Sequence, residues 1–263
     1  MSRRMFGLRL LILLALVAGG SVLAAQRFGG GCNGCEALDA PPNPPYDGRF
    51  TYARVKFNME GGDFGGRFRD VKWGHDYPDA DQHFPLIVQE ITSTAVRTDG
   101  SVIVALDDPE LMKYPFVYLC EVGFWLPSDA EAAGLRNYLL KGGFLLIDDF
   151  AGQHMYNFEA QLRKVLPEAR LIPMTPDHPI WDSFYRINAM EYFGAAGTFN
   201  GLEAQFFGIF EDNDPKKRLM AIVNYNFDVS EFWEYSGSGF VSIDLTNEAF
   251  KLGVNYLMYA LSH

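Results

Sequence analysis

The chain alternates between two hydrophobic patterns, and the clearest change from one to the other lies within residues 128–152. Ser128, with Glu131 three residues later, forms a capping box, which marks the first turn of a helix. Apolar side chains then recur at helical spacing, which predicts a helix with one buried face. Gly142 and Gly143 follow its last turn, where glycine closes a helix without a steric penalty.

An unbroken apolar run, 144–147, comes directly after these glycines. Such a run after a helix is typical of a central strand in a parallel sheet, which is covered on both faces. The strand ends on Asp148 and Asp149, and open α/β sheets bind ligands outside the carboxyl ends of their strands. Both aspartates are therefore candidate catalytic residues. The alternative is that one caps the next helix while the other is solvated.

The rest of the chain repeats this alternation of strands and helices. Strands are predicted at 50–57 (near an edge of the sheet), 102–106, 116–120, 171–172, 206–210 and 219–225. Helices are predicted from Leu86 after Pro85, over 158–165, and over 246–261. The pattern predicts an α/β fold: one doubly wound domain, 50–263, with a mostly parallel sheet.

The N-terminal residues 1–25 have the features of an export signal. Arg3 and Arg4 precede an apolar core at 10–18 and a small-residue cleavage region, and the arginine pair also resembles a twin-arginine signal. We expect a periplasmic or exported protein; an uncleaved membrane anchor is the alternative. Residues 26–49, rich in Gly and Pro, are predicted to be a linker that tethers the domain.

Net charge bears on the partners of the chain, and cysteine content bears on its disulfide and thiol chemistry. The net charge of −11 argues against nucleic acid and against an anionic membrane surface as main partners, but it does not identify a ligand. We expect a small ligand or a cell-envelope protein as partner, with the N-terminus as a candidate membrane tether. Cys32 and Cys35 fit a local disulfide in an exported linker, because a zinc site would need two further matched ligands. Cys120 is predicted to be a buried thiol within a strand.

The densest polar segment is 75–83, HDYPDADQH. His75, Asp76, Tyr77 and Asp81 are candidate binding residues, because imidazole and carboxylate groups together can ligate a divalent metal or form an acid/base pair. The alternative is that Asp79 or Asp81 caps the following helix while His75 packs on Trp73. The chain has no phosphate-loop, dinucleotide-binding or G-x-S-x-G motif.

Two other groups complete the candidate chemistry. Asp177 and His178, fixed by Pro179, could bind a ligand and act as a base, although a loop histidine is more often structural. Glu121 follows the strand 116–120 and is expected to share a rim with Asp148 and Asp149. Three carboxylates on one rim repel each other unless they share a proton or a cation.

Several blocks, in order, resemble the bacterial family called domain of unknown function 4159. They are YARVKF, W-x-H-D-Y-P-x-A-D-x-H-F, L-x-D-P-E-L-x-K-Y-P-F-V-Y-L, E-A-x-x-L-R-x-Y-L-x-K-G-G-F-L-L-x-D-D and D-H-P-I. The resemblance implies a flavodoxin-like fold similar to that of class I glutamine amidotransferases, in proteins that are often exported or membrane-associated. Those enzymes carry a nucleophilic cysteine at the turn where this chain has Asp148 and Asp149.

These observations favour a non-catalytic domain that binds a ligand or partner on an amidotransferase-like scaffold without its nucleophile. A second hypothesis is a metal-assisted or acid/base hydrolase that uses Asp148, Asp149, Glu121, His75 and His178. A third is a subunit of a cell-envelope complex. No cofactor is expected, and the second hypothesis predicts either a bound divalent metal ion or a carboxyl group with a strongly perturbed pKa.

Overall fold

The computed structural model describes residues 41–57, 71–188, 193, 199 and 201–263. The predicted leader at 1–25, most of the predicted linker, and the pair Cys32 and Cys35 lie outside the described residues. Within the described ranges, none of the helices is both long enough and apolar enough to cross a bilayer.

The described residues form one α/β domain around a sheet of seven strands. The strands are β1 (Ala53–Lys56), β2 (Val102–Ala105), β3 (Phe116–Cys120), β4 (Phe144–Asp148), β5 (Ile172–Pro173), β6 (Gln205–Phe210) and β7 (Leu219–Tyr225). Their order across the sheet is β2-β1-β3-β4-β7-β6-β5. The five strands from β2 to β7 in this order are parallel, whereas β6 pairs antiparallel with β7, and β5 pairs antiparallel with β6. The prediction of a mostly parallel sheet is therefore confirmed.

Five α-helices accompany the sheet in the described ranges: α1 (Asp79–Ile91), α2 (Asp129–Leu140), α3 (His154–Val165), α4 (Val229–Glu234) and α5 (Ile243–Ser262). The predicted capping box is present at the start of α2, where Ser128 and Glu131 bond each other's backbone N–H groups.

Two apolar cores lie on the two faces of the sheet. Successive side chains of β4 point to opposite faces, so Phe144 and Leu146 enter one core while Leu145 and Ile147 enter the other. Helices α1, α4 and α5 cover the first face, and α2 and α3 cover the second. Burial on both faces explains why the sequence of β4 reads as a continuous apolar run.

The prediction for the first helix is wrong in its boundaries. Helix α1 begins at Asp79, Pro85 lies inside it, and it ends at Ile91. Its first bonds run from Ala80 N–H to the carbonyl of Asp76 and from Gln82 N–H to that of Pro78. The buried face repeats every four residues through Ala80, Phe84 and Val88, and an internal proline removes only one helical bond.

The short helix α4 was not predicted, because six residues are too few for a helical repeat to be recognised. Its position matters for function, since it packs beside α1 and α5 and begins just after β7 at the same rim as the carboxyl ends of β3 and β4.

Candidate functional site

A cavity of about 630 Å³ lies at the carboxyl ends of the central strands. Residues from the loop after β1, the turns after β3 and β4, and the segment around α4 line it. They are His75, Asp76, Glu121, Asp149, Phe199, Asp228, Glu231, Phe232, Phe240, Val241, Ser242 and Leu245. This is the place where open α/β sheets bind their ligands.

The sheet brings Glu121 and Asp149 together. Cys120 and Asp148 are partners in the parallel ladder, so the next residue of each strand lies at the same level of the rim. Both residues leave their strands with left-handed backbone, at φ 50° for Glu121 and 54° for Asp149. This conformation is uncommon for residues with a side chain and is often found at functional sites.

His75 lies between these two carboxylates. Its Nδ1 atom is 3.2 Å from Oδ2 of Asp149 and 3.3 Å from Oε1 of Glu121. One ligand atom from each of His75, Glu121 and Asp149 can be chosen so that all three lie within 4.8 Å of one another. One nitrogen and two oxygen ligands at this spacing could hold a divalent metal ion.

Glu121 also pairs with a lysine and lies near a second histidine. The ammonium of Lys72 lies 3.0 Å from Oε1 of Glu121 and 4.6 Å from the ring centre of Phe124. Nδ1 of His154 lies 3.9 Å from the other carboxylate oxygen. This arrangement keeps the buried Glu121 carboxylate aimed at the cavity.

A second set of ligand atoms belongs to Asp76, Asp228 and Glu231, and these atoms also lie within 4.8 Å of one another. Ser230 connects two of them from behind, with Oγ 2.5 Å from Asp76 Oδ2 and 3.0 Å from Asp228 Oδ1. The hydroxyl oxygen of Tyr118 lies 2.5 Å from Oγ of Ser230. The single hydroxyl proton of Ser230 can be donated to only one of these carboxylates at a time.

Asp148 does not reach the cavity. Its fully buried carboxylate accepts hydrogen bonds from the backbone N–H groups of Val229 (2.9 Å) and Ser230 (3.2 Å) and from the side chain of Asn224 (2.8 Å). Asp148 therefore holds the start of α4 against the end of β4 and supports the cavity from below.

Several carboxyl groups in and around the cavity have raised pKa values. Burial raises the pKa of Glu231 to about 7 and that of Glu234 to about 9, with Asp76 adding repulsion in both cases. Burial, followed by repulsion from neighbouring carboxylates, raises the pKa values of Asp149 and Asp228 well above their usual range. Burial also raises the pKa of Asp148 to about 7. Crowded buried carboxylates of this kind share protons or bind cations.

A buried ion pair fixes the loop that carries His75 and Asp76. The guanidinium of Arg54 pairs with Asp81 of α1, and both side chains are inaccessible to solvent. Arg54 also donates to the backbone carbonyls of Trp73 (3.2 Å) and His75 (2.8 Å). The position of His75 at the cavity therefore depends on a residue of β1 that does not touch the cavity.

The structure brings together four of the candidate residues named from the sequence: His75, Asp76, Glu121 and Asp149. Tyr77 lines a different cavity beside Pro78 and Gln82. Asp81 is a member of the Arg54 ion pair, so it neither caps α1 nor faces the cavity.

Asp177 and His178 are not part of this site. His178 packs against Phe210 and Tyr259, and the hydroxyl of Tyr259 accepts a hydrogen bond from the N–H of Leu219, the first residue of β7. This is the opposite end of the strand from the cavity. Nδ1 of His178 accepts a hydrogen bond from Ile180 N–H, which is the structural role of a turn residue.

The sequence analysis missed Asp228, Ser230, Glu231 and Glu234. One signal was available, because Asp228 with Glu231 three residues later is a helix-capping pattern, and the side chain of Asp228 accepts a hydrogen bond from the N–H of Glu231. The position of Glu231 at the cavity depends on the packing of α4 and carries no local signal.

The fold and site define a single-domain α/β protein with a mostly parallel sheet and an acidic cleft at its strand ends. The chain belongs to the family described as domain of unknown function (DUF4159), whose model matches residues 51–261. The match covers the whole sheet and every residue that lines the cavity. A comparison with curated proteins gave no match.

Proposed function

We propose that the cavity is a divalent-cation centre that supports hydrolysis. The observation that carries this proposal is the presence in one cavity of two sets of three ligand atoms, His75/Glu121/Asp149 and Asp76/Asp228/Glu231. The first set, with an imidazole, suits Mn²⁺ or Zn²⁺, while the second, with oxygen ligands only, suits Mg²⁺, Mn²⁺ or Ca²⁺.

Charge supports a cation in this place. Five carboxyl groups line the cavity beside a single imidazole, and several are desolvated enough that their pKa values are raised. A bound cation would replace the shared protons and relieve the mutual repulsion. A bound metal ion would lower the pKa of a water molecule that it ligates, and it would also polarise the bond to be broken.

The surrounding residues would then divide the work. The two sets would hold and orient the cations. A carboxylate that ligates a cation through one oxygen could accept the proton of the attacking water on its other oxygen and return it to the leaving group. Ser230 and Asp148 act from behind, because they fix Asp76, Asp228 and the start of α4. Asp148 and His178 are therefore removed from the catalytic group proposed from the sequence.

Titration of Mn²⁺ into the full chain, after removal of metals with a chelator, tests the proposal. We expect saturable binding, with two sites by calorimetry and electron paramagnetic resonance. Asp149→Asn and Asp228→Asn should each weaken a different site by more than about tenfold. Glu168 is exposed and does not line the cavity, so Glu168→Gln is the matched control and should bind Mn²⁺ as the parent does. Failure of Mn²⁺, Zn²⁺, Mg²⁺ and Ca²⁺ to bind would refute the proposal.

A non-catalytic binding domain is the second candidate. It is favoured by Cys120, whose buried Sγ lies 3.5 Å from Arg54 and from two backbone carbonyls, so that the thiol of Cys120 does not face the cavity. Cation binding without turnover of ester, amide and phosphoester substrates would support this candidate over a hydrolase.

The finer description of the scaffold belongs to the same proposal. We infer a flavodoxin-like fold similar to the class I glutamine amidotransferases, on the evidence of the parallel order β2-β1-β3-β4-β7. In that comparison the left-handed turn at Asp149 occupies the place of the nucleophile.

We also propose an exported location, in which the N-terminal segment tethers the domain at the cell envelope, from the sequence of residues 1–25. Fractionation of cells that express the full chain tests this location. Recovery of the protein in the cytoplasmic fraction with residues 1–25 intact would refute it.

A further inference from the structure

The lining of the cavity is of two chemical kinds. The ligand groups form its acidic part, and Phe199, Phe232, Phe240, Val241 and Leu245 form an apolar wall. Four of these five wall residues come from α4, from the segment that leads into α5 and from the first turn of α5. The acidic groups come from the ends of β3 and β4, from the loop before α1 and from the start of α4.

The wall reaches the mouth of the cavity. Phe232 is buried, Val241 and Leu245 are partly buried, and Phe240 is 59% exposed although it lies against Tyr235. Phe240 thus continues the apolar lining to the mouth of the cavity, where a bound ligand would cover it.

The volume limits what can bind. About 630 Å³ lies within the range of roughly 300–1,000 Å³ that is typical of small-molecule sites. A folded protein or a nucleic acid duplex does not fit, while one small molecule, or one residue at the end of a chain, does.

The charge of the cavity limits further which molecules can bind. Five carboxyl groups line the cavity, and two divalent cations together with the ammonium of Lys72, which pairs with Glu121, would bring five positive charges. The loaded site would therefore have no excess positive charge to attract an anionic substrate, and a carboxylate placed against the apolar wall would lose its hydration without gaining a counter-charge.

From these features we infer the substrate class, an inference that rests on the proposed cation centre. The substrate is a neutral or cationic small molecule with a polar hydrolysable group at the cations and one apolar group, of the size of a leucine side chain, against the wall. Burial of this group gives selectivity of roughly fourfold for each methylene removed from water.

Three hydroxamates test this inference without any need for turnover, because the hydroxamate group binds metal ions. Acetohydroxamate has no tail, 4-methylpentanohydroxamate has an isobutyl-like tail, and succinic monohydroxamate carries a carboxylate in place of the terminal isopropyl group. Binding of each to the Mn²⁺-loaded full chain is measured by calorimetry. We expect the apolar tail to tighten binding by at least about tenfold over acetohydroxamate, and the carboxylate tail to weaken it.

Variants of the wall locate the effect. Leu245→Ser and Phe240→Ser should remove most of the gain from the apolar tail and leave the affinities for Mn²⁺ and acetohydroxamate unchanged. Ile243→Ser is the matched control, because Ile243 lies on the same segment, is 74% exposed and does not line the cavity. Circular dichroism checks that each variant is folded.

The outcomes separate the two proposals. Absence of Mn²⁺ binding refutes the cation centre, and this inference with it. Binding of Mn²⁺ and acetohydroxamate with no gain from the apolar tail, or with equal gain in the wall variants, refutes the inference alone. Binding of Mn²⁺ without binding of acetohydroxamate also refutes it, because the cation would then be closed to ligands beside the wall.

Discussion

The carboxylate of Asp148 accepts a hydrogen bond from the backbone N–H of Ser230, which is 82 residues later in the chain. This bond joins the end of β4 to the start of α4 and so joins the two parts of the acidic cleft. It also explains why two adjacent aspartates have different roles. Asp148 supports the structure from below, whereas Asp149 faces the cavity.

Asp148→Asn should therefore lower stability without removing a ligand group. The new side-chain amide can accept from Val229 and Ser230, but its NH₂ group then faces the NH₂ group of Asn224, now 2.8 Å from the carboxylate. We expect a loss of about 1–3 kcal/mol in the free energy of unfolding, measured by urea denaturation. Unchanged stability would mean that the carboxylate is not the support described here.

Removal of one partner of the Arg54–Asp81 pair should be more damaging. Asp81→Ala leaves a guanidinium that is buried without its counter-charge, and such changes cost about 3–5 kcal/mol. Because Arg54 also holds the carbonyl of His75, the variant should bind Mn²⁺ more weakly even at temperatures where it remains folded. Asp107→Ala, in a turn outside the pair, is the control for acid removal.

The metal-free protein should become less stable as the pH rises. Burial raises the pKa of Glu231 to about 7 and that of Glu234 to about 9, so the folded state binds more protons than the unfolded state between about pH 4 and 9. Stability falls with pH wherever the folded state binds the extra protons. The melting temperature should be several degrees lower at about pH 8.5 than at about pH 6.

Addition of Mn²⁺ should reverse this trend, because metal binding requires deprotonated ligands and is therefore stronger at the higher pH. The increase in melting temperature on saturation should be larger at about pH 8.5 than at about pH 6. An equal increase at both values would argue against ligation by these carboxylates.

Cys120 should be dispensable for any activity of the cleft. Burial raises the pKa of its thiol well above the usual range, and its Sγ is inaccessible at the end of β3. In a background with Cys32→Ser and Cys35→Ser, the folded protein should resist alkylation by iodoacetamide, and Cys120→Ala should retain Mn²⁺ binding. Rapid alkylation of Cys120 in this folded variant, detected by mass spectrometry, would instead support a thiol mechanism.

The sequence predicted those parts of the molecule that depend on local patterns. The capping box of α2, the buried run of β4 and the positions of Glu121 and Asp149 at strand ends all follow from residues close together in the chain. The resemblance blocks anticipated the family that the match over 51–261 confirms.

The other half of the cleft could not be predicted in this way. Asp228 and Glu231 reach it because α4 packs beside α1, and this contact joins residues about 150 positions apart. The position of His178 could not be predicted for the corresponding reason, since packing against Phe210 and Tyr259 holds it at the other end of the sheet from the cleft.

The left-handed turns at Glu121 and Asp149 have a practical consequence for engineering. Glycine adopts this backbone shape without strain, so the main chain would be more stable with no side chain at position 121. A selection for heat resistance alone would tend to place glycine there, which would remove one of the three ligand groups of the first set. Thermal stability is therefore a poor guide to which variants of this chain retain the ligand groups of the cleft.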